Sequence, residues 1–442
     1  MGKILEHWFN LKAHNTTPKT ELVAGLTTFA AMSYILVVNP AILGISGMPV
    51  DALITVTALA ACIGTVIMAL RTNYPIAMAP GMGLNAFFAY TICLARDIPW
   101  DAALGIVFYN GVLFLLLSVT GVRKKIADAI PKALKIGVQC GIGLFIAFIG
   151  LKNAGLIVAH PATLVSIGDL SEPVTLLALA GIILTIVMVS RGYRSAILLS
   201  IILLTSAGLF IPHNDGMLTA TPEALIGLPA PIDTTFLAMD LTYPLVNLAT
   251  CWDLIFALLF VNMFDTIGTL IGVSRKANLL DKNEQLPKMG QALSADAGAS
   301  VVGAALGTSP VTSYVESAAG VSVGGRTGLT ALVVGLCFLL ALLFTPVMLV
   351  IPLMATTPAL VMVGIYMLDG IKQLDFEDLP SVATATIALI AMPLTFSISE
   401  GIALGFITYV GVMMGCGKRH QVSPLAWAMA LIFLARYVFS LM

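Results

Sequence analysis

The chain has 442 residues, of which 59% are hydrophobic and only 10% are charged, and its mean hydropathy is +1.00. Soluble domains carry about 25% charged residues, so this composition excludes a water-soluble globular enzyme and predicts a polytopic membrane protein. The formal net charge of −1 gives no sign of a nucleic-acid partner. The six cysteines show no metal-ligand spacing, so we expect neither a metal nor a cofactor.

Residues 1–20 form a polar segment that precedes the first apolar block. Within it Ile4, Leu5, Trp8 and Phe9 cluster at helical spacing. This pattern predicts a short amphipathic helix that lies on the cytoplasmic surface of the membrane.

Fourteen apolar blocks follow, and each approaches the length of about 20 residues that a helix needs to cross a bilayer. Seven precede the long loop 213–249 and seven follow it. The blocks lie near 21–43, 51–70, 74–95, 100–121, 131–151, 173–190, 194–212, 250–273, 290–306, 307–323, 326–345, 355–371, 380–397 and 399–416. A further apolar block, 424–441, contains Arg436, and the sequence leaves open whether it spans the membrane or lies along its interface.

Basic residues test this count, because cytoplasmic loops of membrane proteins are enriched in Lys and Arg. With fourteen spans and a cytoplasmic N-terminus, all but three of the 22 basic residues fall inside; the exceptions are Arg96, Lys152 and Arg436. The loop 213–249 contains neither Lys nor Arg, as expected of an outer loop. We therefore predict a multi-pass protein of the cytoplasmic (inner) membrane, built as a seven-plus-seven inverted repeat, which is typical of secondary transporters.

Spans three and ten carry helix-breaking residues at corresponding positions of the two halves. The run NYPIAMAPGMGLNAFF (73–88) contains Pro80 and Gly81, and GTSPVTSYVESAAG (307–320) contains Pro310. Pro and Gly interrupt the helical hydrogen bonds, and irregular backbone at membrane depth is tolerated where it lines a cavity. Each run therefore predicts a short strand followed by a half-helix whose N-terminus points at a ligand site. Kinked packing helices are the alternative.

Three acids lie within apolar blocks of the second half: Asp265, Asp296 and Glu316. A carboxylate in hydrocarbon costs about 3 kcal/mol or more, so it usually serves function. A carboxylate kept from water also gains affinity for a proton, which suits a proton-coupled carrier. For Asp296 a helix cap or an inter-helix hydrogen bond is the alternative.

Four other acids are expected to be structural or solvated. Glu21 and Asp253 begin predicted helices, where a carboxylate favours the helix dipole. Asp369 and Glu400 fall near predicted membrane edges, where we expect water around them. Neither an HExxH motif nor a Walker A loop occurs, so a metalloprotease and an ATP-driven pump are excluded and no enzyme activity is expected.

Several runs resemble the AzgA-type purine permeases of the nucleobase–ascorbate transporter superfamily. These are ELVAGLTTFAAMSYILVVNPAIL (21–43), the two broken runs above, FDTIGTLIGV (264–273) and GGRTGLTA (324–331). The resemblance implies an all-α fold of fourteen spans with a core domain (21–121 and 250–345) and a gate domain (131–212 and 355–416). It also implies import of a purine nucleobase with a proton, and leaves a homodimer open.

Adenine is the substrate that these runs favour, with hypoxanthine or guanine as the alternative. An anion exchanger of the same fold is a further alternative, but we would expect such a protein to have Arg or Lys at the position of Glu316.

The resemblance also implies the site. The superfamily holds the base with an acid in span eight and a Glu or Gln in span ten, which match Asp265 and Glu316; its span-nine acid matches Asp296. We assign proton coupling to these three acids. Backbone groups near the half-helices and stacking aromatic rings complete the predicted site: Ser313, Tyr314, Val315, Gly83, Leu84, Asn85, Phe29, Phe87 and Phe264. Ordinary packing is the alternative for the aromatic residues.

Overall fold

The computed structural model describes residues 2–120, 129–213, 216–222, 224–282 and 285–439. Three basic residues on which the predicted orientation partly depends, Arg123, Lys124 and Lys125, lie outside the described residues, as do residues 440–441 of the last apolar block.

Helices dominate the described part of the chain, and six short strands interrupt them. In chain order the elements are α1 (Gly2–Phe9), α2 (Pro18–Met32), α3 (Ile35–Leu43), α4 (Val50–Thr72), β1 (Met78–Pro80), α5 (Met82–Ala86), α6 (Trp100–Thr120), α7 (Lys132–Asn153), β2 (Ile157–His160), β3 (Leu164–Ile167), α8 (Pro173–Ser190), α9 (Ala196–Gly208), β4 (Pro212–His213), β5 (Gly216–Met217), α10 (Tyr243–Val246), α11 (Leu248–Lys276), α12 (Met289–Leu306), β6 (Val311–Ser313), α13 (Ser317–Ser322), α14 (Gly328–Ala341), α15 (Thr345–Leu349), α16 (Thr357–Met367), α17 (Leu379–Thr395), α18 (Ile398–Gly415) and α19 (Pro424–Phe439).

Among the described residues, nine helical stretches are long and apolar enough to cross a membrane, and four shorter apolar helices accompany them. The helix α4 illustrates why such stretches form. Its 23 residues include no Pro, and it ends before Asn73, whose φ of 62° is left-handed. The mostly helical fold is confirmed, whereas the number of fourteen spans stays a prediction.

Spans three and ten are broken as predicted, and their extended pieces pair with each other. Strands β1 and β6 are antiparallel, with Met78 opposite Ser313 and Pro80 opposite Val311. The half-helices α5 and α13 follow directly. Gly81 allows this close approach, because a Cβ there would lie 2.7 Å from Cγ2 of Thr312. The freed backbone groups thus find partners inside the protein rather than in lipid.

Span one is also interrupted, which the sequence did not predict. The helix α2 ends at Met32 and α3 begins at Ile35, so that Ser33 and Tyr34 form a turn between them. Asn39 anchors α3 through its Nδ2, which donates to Oγ1 of Thr57 at 2.7 Å and to Oγ1 of Thr308 at 3.1 Å. The break turns the Tyr34 side chain toward the protein interior, where it is 1% exposed.

The N-terminal segment forms the predicted helix α1, and the residues after it are held by the protein. Phe9 and Leu11 are buried, and Nδ2 of Asn73 donates to the carbonyl of Phe9 at 2.9 Å. Trp8 is exposed. The position of this segment on the membrane surface stays a prediction.

Glu21 caps a helix other than its own. Its side chain is fully buried and its two oxygens accept the backbone N–H groups of Arg326, Thr327 and Thr330. The hydroxyls of Thr327 and Thr330 donate to it at 2.8 and 2.6 Å. These are the donors at the start of α14, so Glu21 of α2 fixes α14 in place.

Replacing Glu21 with alanine is expected to destabilise the protein by about 3 kcal/mol or more, because buried donors at the start of α14 lose their acceptor. Thermal unfolding in detergent would show a lowered midpoint. Asp51→Ala is the matched control, since Asp51 is exposed in the first turn of α4 and bonds only the adjacent N–H of Ala52 among the described groups. Equal midpoints for the two variants would contradict this role.

One expectation about acids is wrong. Glu400, expected to be solvated, accepts from Arg436 at 2.5 Å and from the hydroxyl of Tyr437. Asp253, expected to be structural, lies near the start of α11, is 2% exposed at its side chain and pairs with Arg96 at 2.7 Å and with Arg436 at 2.9 Å. The charges compensate one another because four distant parts of the chain meet here: the segment before α6 that carries Arg96, the start of α11, the start of α18 and the end of α19.

The last apolar block therefore runs alongside α18. At one end Oγ of Ser423 donates to the carbonyl of Ala129 at 2.5 Å, and at the other end Arg436 reaches Glu400. The helix α19 is antiparallel to α18 and packs against it.

Candidate functional site

A cavity of about 340 Å³ lies where the broken spans meet α7, α11 and α16. Its size falls in the range of small-molecule sites, about 300–1,000 Å³. The two half-helices contribute their N-terminal residues to it: Met82, Gly83 and Leu84 from α5, and Glu316 just before α13. The predicted convergence of the half-helices on one cavity is thus present in the structure.

Glu316 lies shortly after β6, at the N-cap position of α13. Its side chain lines the cavity, and its Oε1 accepts a hydrogen bond from the hydroxyl of Tyr34 at 2.5 Å. The helix N-terminus beneath it favours negative charge. The broken backbone therefore presents a carboxyl group to the cavity rather than to lipid.

Asp265 approaches the same cavity from α11, in the middle of a helix of 29 residues. The neighbouring residues Phe264, Gly268 and Thr269 also line it. Asp265 and Glu316 are close enough for the charge of one to affect the other. The structure thus brings the two principal predicted acids together in one cleft.

Asp296 lies behind the cavity wall and is fully buried. Its Oδ2 accepts from the backbone N–H and the hydroxyl of Ser313 at 2.9 and 3.0 Å, and its Oδ1 accepts from the hydroxyl of Thr266 at 2.9 Å. Asp296 therefore ties β6 to α11 and α12. The inter-helix hydrogen bond raised as the alternative reading is present, and a proton-coupling role for Asp296 stays a prediction.

Two backbone groups expected to face a ligand are already used by the protein. The N–H of Ser313 donates to Asp296, and the N–H of Tyr314 donates to the carbonyl of Ala77 at 2.9 Å. Ser313, Tyr314 and Val315 nevertheless line the cavity. Two different contacts explain this: the carboxylate of Asp296 uses the amide of Ser313, and the backbone next to β1 uses the amide of Tyr314.

Of the remaining predicted residues, Gly83, Leu84 and Phe264 line the cavity and three do not. Asn85 is buried, and its Oδ1 accepts from the hydroxyl of Ser309. Phe87 is fully buried in the core, and Phe29 packs edge-on against Phe338 at 5.2 Å. These three contribute to packing because they point away from the cleft.

Sequence reasoning missed further polar side chains that line the cavity: Tyr34, Lys135, Gln139, Thr312, Tyr366, Asp369 and Gln373. Asp369, expected to be solvated near a membrane edge, is thus at the cavity. Nζ of Lys135 lies 5.1 Å from the centre of the Phe264 ring. The predicted topology counts Lys135 among the inner basic residues, and its position near the start of α7 is the signal that could have brought it to the site. Tyr34 gave no such signal inside an apolar run.

The comparisons with known proteins decide the family. A family model described as a permease family matches residues 19–404. The chain belongs to this permease family. It is therefore a transporter rather than an enzyme, and a multi-pass membrane protein.

The permease is similar along nearly its whole length to several known proteins. It is 47% identical over 437 residues to a putative permease of Methanocaldococcus jannaschii, which covers 99% of each chain. It is 43% identical to the adenine permease AdeP of Escherichia coli, covering 99% of this chain and 96% of the relative. It is 42% identical to the guanine/hypoxanthine permease PbuO of Bacillus subtilis, covering 96% and 98%. The family resemblance found in the sequence is confirmed.

Solved structures show the same fold at low sequence identity. The transmembrane domain of the cyanobacterial bicarbonate transporter BicA matches with a TM-score of 0.64 at 18% identity, covering 87% of this chain and 96% of that domain. Murine Slc26a9 in the inward-facing state matches with a TM-score of 0.66 at 12% identity, covering 90% and 68%. The permease thus has the seven-plus-seven inverted-repeat fold that the sequence predicted.

Proposed function

We propose that the permease imports a purine nucleobase together with a proton, with adenine as the first candidate substrate. The observation that carries this proposal is the meeting of Asp265 and Glu316 in one cavity between two half-helices. The names of the relatives support the substrate class, since they include adenine permeases and guanine/hypoxanthine permeases.

The cavity has the chemistry that a purine requires. A purine is a flat ring system whose edges mix N–H donors with ring-nitrogen acceptors. A carboxylate accepts from an N–H, and a carboxylic acid donates to a ring nitrogen. Glu316 and Asp265 enter from different elements, so they can meet two edges of one base, while Phe264 offers an apolar face.

The same acids give a route for the proton. In our proposal the two carboxyl groups that line the cavity interact with each other and share one proton, which is taken up from outside together with the base. Charge neutralisation then removes the cost of moving a carboxylate past apolar surface. Asp296, hydrogen-bonded to the strand that precedes Glu316, would transmit a change at this strand to α11 and α12.

We further propose the two-domain movement that the sequence suggested. The cavity is lined by α11 and the two broken spans of the proposed core, and by α7 and α16 of the proposed gate. Movement of one against the other would alternate access to the site. We place the N-terminus in the cytoplasm and the protein in the cytoplasmic membrane, on the distribution of Lys and Arg.

Adenine and hypoxanthine differ at one edge, where an amine donor replaces a carbonyl acceptor. The identities to adenine and to guanine/hypoxanthine permeases, 43% and 42%, do not separate the two. Adenine stays the first candidate because FDTIGTLIGV and GGRTGLTA resemble the adenine-transporting branch.

A competition assay in proteoliposomes tests the substrate and the coupling together. Labelled adenine uptake is measured at two external pH values against unlabelled adenine, hypoxanthine, guanine, uracil and bicarbonate. We expect competition by purines alone and faster uptake at the lower external pH. Competition by bicarbonate but not by purines would favour the anion exchanger, and the absence of any purine uptake would overturn the proposal.

A further inference from the structure

We propose that Tyr34 is a positioning residue that makes Glu316 present a single oxygen atom to the base and stabilises the ionised form of that carboxyl group. This inference rests on the proposed function and concerns the chemistry of the same site. It follows from the direction of one buried hydrogen bond.

The hydrogen bond joins span one to span ten. Tyr34 lies in the break between α2 and α3, and its side chain is 1% exposed. Its hydroxyl lies 2.5 Å from Oε1 of Glu316. Against an ionised carboxylate, which only accepts, a tyrosine hydroxyl must donate. One of the two oxygens of Glu316 is therefore occupied before any ligand arrives.

The remaining oxygen, Oε2, is then the one that forms a hydrogen bond with the base. When Glu316 is ionised, Oε2 can accept from an N–H of the base. When Glu316 is protonated, the proton is placed on Oε2, because Oε1 keeps the Tyr34 hydroxyl as its donor, and Oε2 then donates to a ring nitrogen. Glu316 thus contacts the base through one oxygen, which accepts or donates according to its protonation, rather than through both oxygens. The second edge of the base is left to Asp265.

Several other groups act on the same carboxyl group. Asp265 of α11, Tyr314 just after β6 and Tyr366 of α16 lie close enough to interact electrostatically with Glu316. Lys135 of α7 and Asp369 line the same cavity. Tyr34 differs from all of these because its hydroxyl touches a Glu316 oxygen directly. A donor to the charged form stabilises that form, so the Tyr34 hydroxyl favours the ionised carboxylate of Glu316 over the protonated acid.

The chain supplies a matched control for removing this hydroxyl. Tyr109 of α6 is also partly buried, but it is not among the residues that line the cavity, and its hydroxyl donates to the carbonyl of Leu241 at 3.0 Å. Tyr34→Phe and Tyr109→Phe therefore delete the same atom from two tyrosines of the protein. Only the first deletion frees an oxygen of Glu316.

The test measures adenine uptake as a function of pH in proteoliposomes for the wild type and both variants. For Tyr34→Phe we expect the half-maximal pH of uptake to move up by about one unit and KM for adenine to rise about tenfold, since a charge-assisted hydrogen bond is lost. For Tyr109→Phe we expect the wild-type pH profile. Adding Tyr34→Phe to Glu316→Gln should leave the pH profile and adenine binding of the Glu316→Gln variant unchanged.

A fluorinated tyrosine at position 34 covers the case in which Tyr34→Phe fails to fold. It keeps the shape of the side chain and makes the hydroxyl a stronger donor, so the half-maximal pH should move down instead. A wild-type profile for this variant, or identical profiles for Tyr34→Phe and Tyr109→Phe, would overturn the inference. Absence of purine uptake by the wild type itself would instead remove the proposed function.

Discussion

Replacing Glu316 with alanine is expected to abolish adenine uptake while the protein still reaches the membrane. The side chain lines the cavity at the start of α13, and the framework of β1 and β6 does not depend on its carboxyl group. Without this carboxyl group, a polar edge of the bound base would have no hydrogen-bonding partner. In sites built for hydrogen bonding, the loss of one partner lowers kcat/KM by about 10⁴-fold. Uptake of labelled adenine into proteoliposomes, normalised to the amount of inserted protein, measures the loss.

Two further variants sharpen this prediction. Glu377→Ala removes an exposed acid from the loop before α17 and should leave uptake unchanged. Glu316→Gln keeps the shape of the side chain and an acceptor oxygen, but it cannot change its protonation state. We expect it to retain weak adenine binding and to lose the dependence of uptake on pH. Wild-type uptake by Glu316→Ala would reject Glu316 as a site residue.

The second large effect is expected at Asp265. Asparagine at this position keeps an acceptor and adds a donor, but it can neither take up nor release a proton. We expect Asp265→Asn to bind adenine more weakly and to lose most of the stimulation of uptake by external acid. Uptake is stimulated by external acid because a carboxyl group binds its proton as the external pH falls. An amide binds no proton in this pH range, so the stimulation is lost.

Uptake at several external pH values with a fixed internal pH measures this effect. Asp101→Asn is the control, since Asp101 lies in the first turn of α6, where it accepts from the adjacent N–H of Ala102. A pH dependence in Asp265→Asn equal to that of the wild type would show that another group carries the proton.

The features that sequence reasoning found are those that local chemistry determines. Pro80, Gly81 and Pro310 disfavour a continuous helix, so the breaks in spans three and ten could be predicted. Asp265 and Glu316 stood out because a carboxylate is rare in an apolar run. Both signals lie within a few residues of the feature that they predict.

The features that it missed depend on contacts between distant residues. Tyr34 meets Glu316 across 282 positions, and nothing in an apolar run marks one tyrosine as facing inward. Glu400 and Asp253 both pair with Arg436 of α19, and the path of this helix could not be inferred from a single apolar block. The amides of Ser313 and Tyr314 are used by Asp296 and by Ala77, and neither contact can be inferred from span ten alone.

An experimental structure of the protein with adenine bound tests the central claim most directly. We predict that the base lies in the cavity between α5 and α13, with one nitrogen within hydrogen-bonding distance of the Glu316 carboxyl group and another edge toward Asp265. In that structure the Tyr34 hydroxyl should still contact the other Glu316 oxygen. Adenine bound elsewhere, or the two carboxyl groups turned to the lipid-facing surface, would contradict the account.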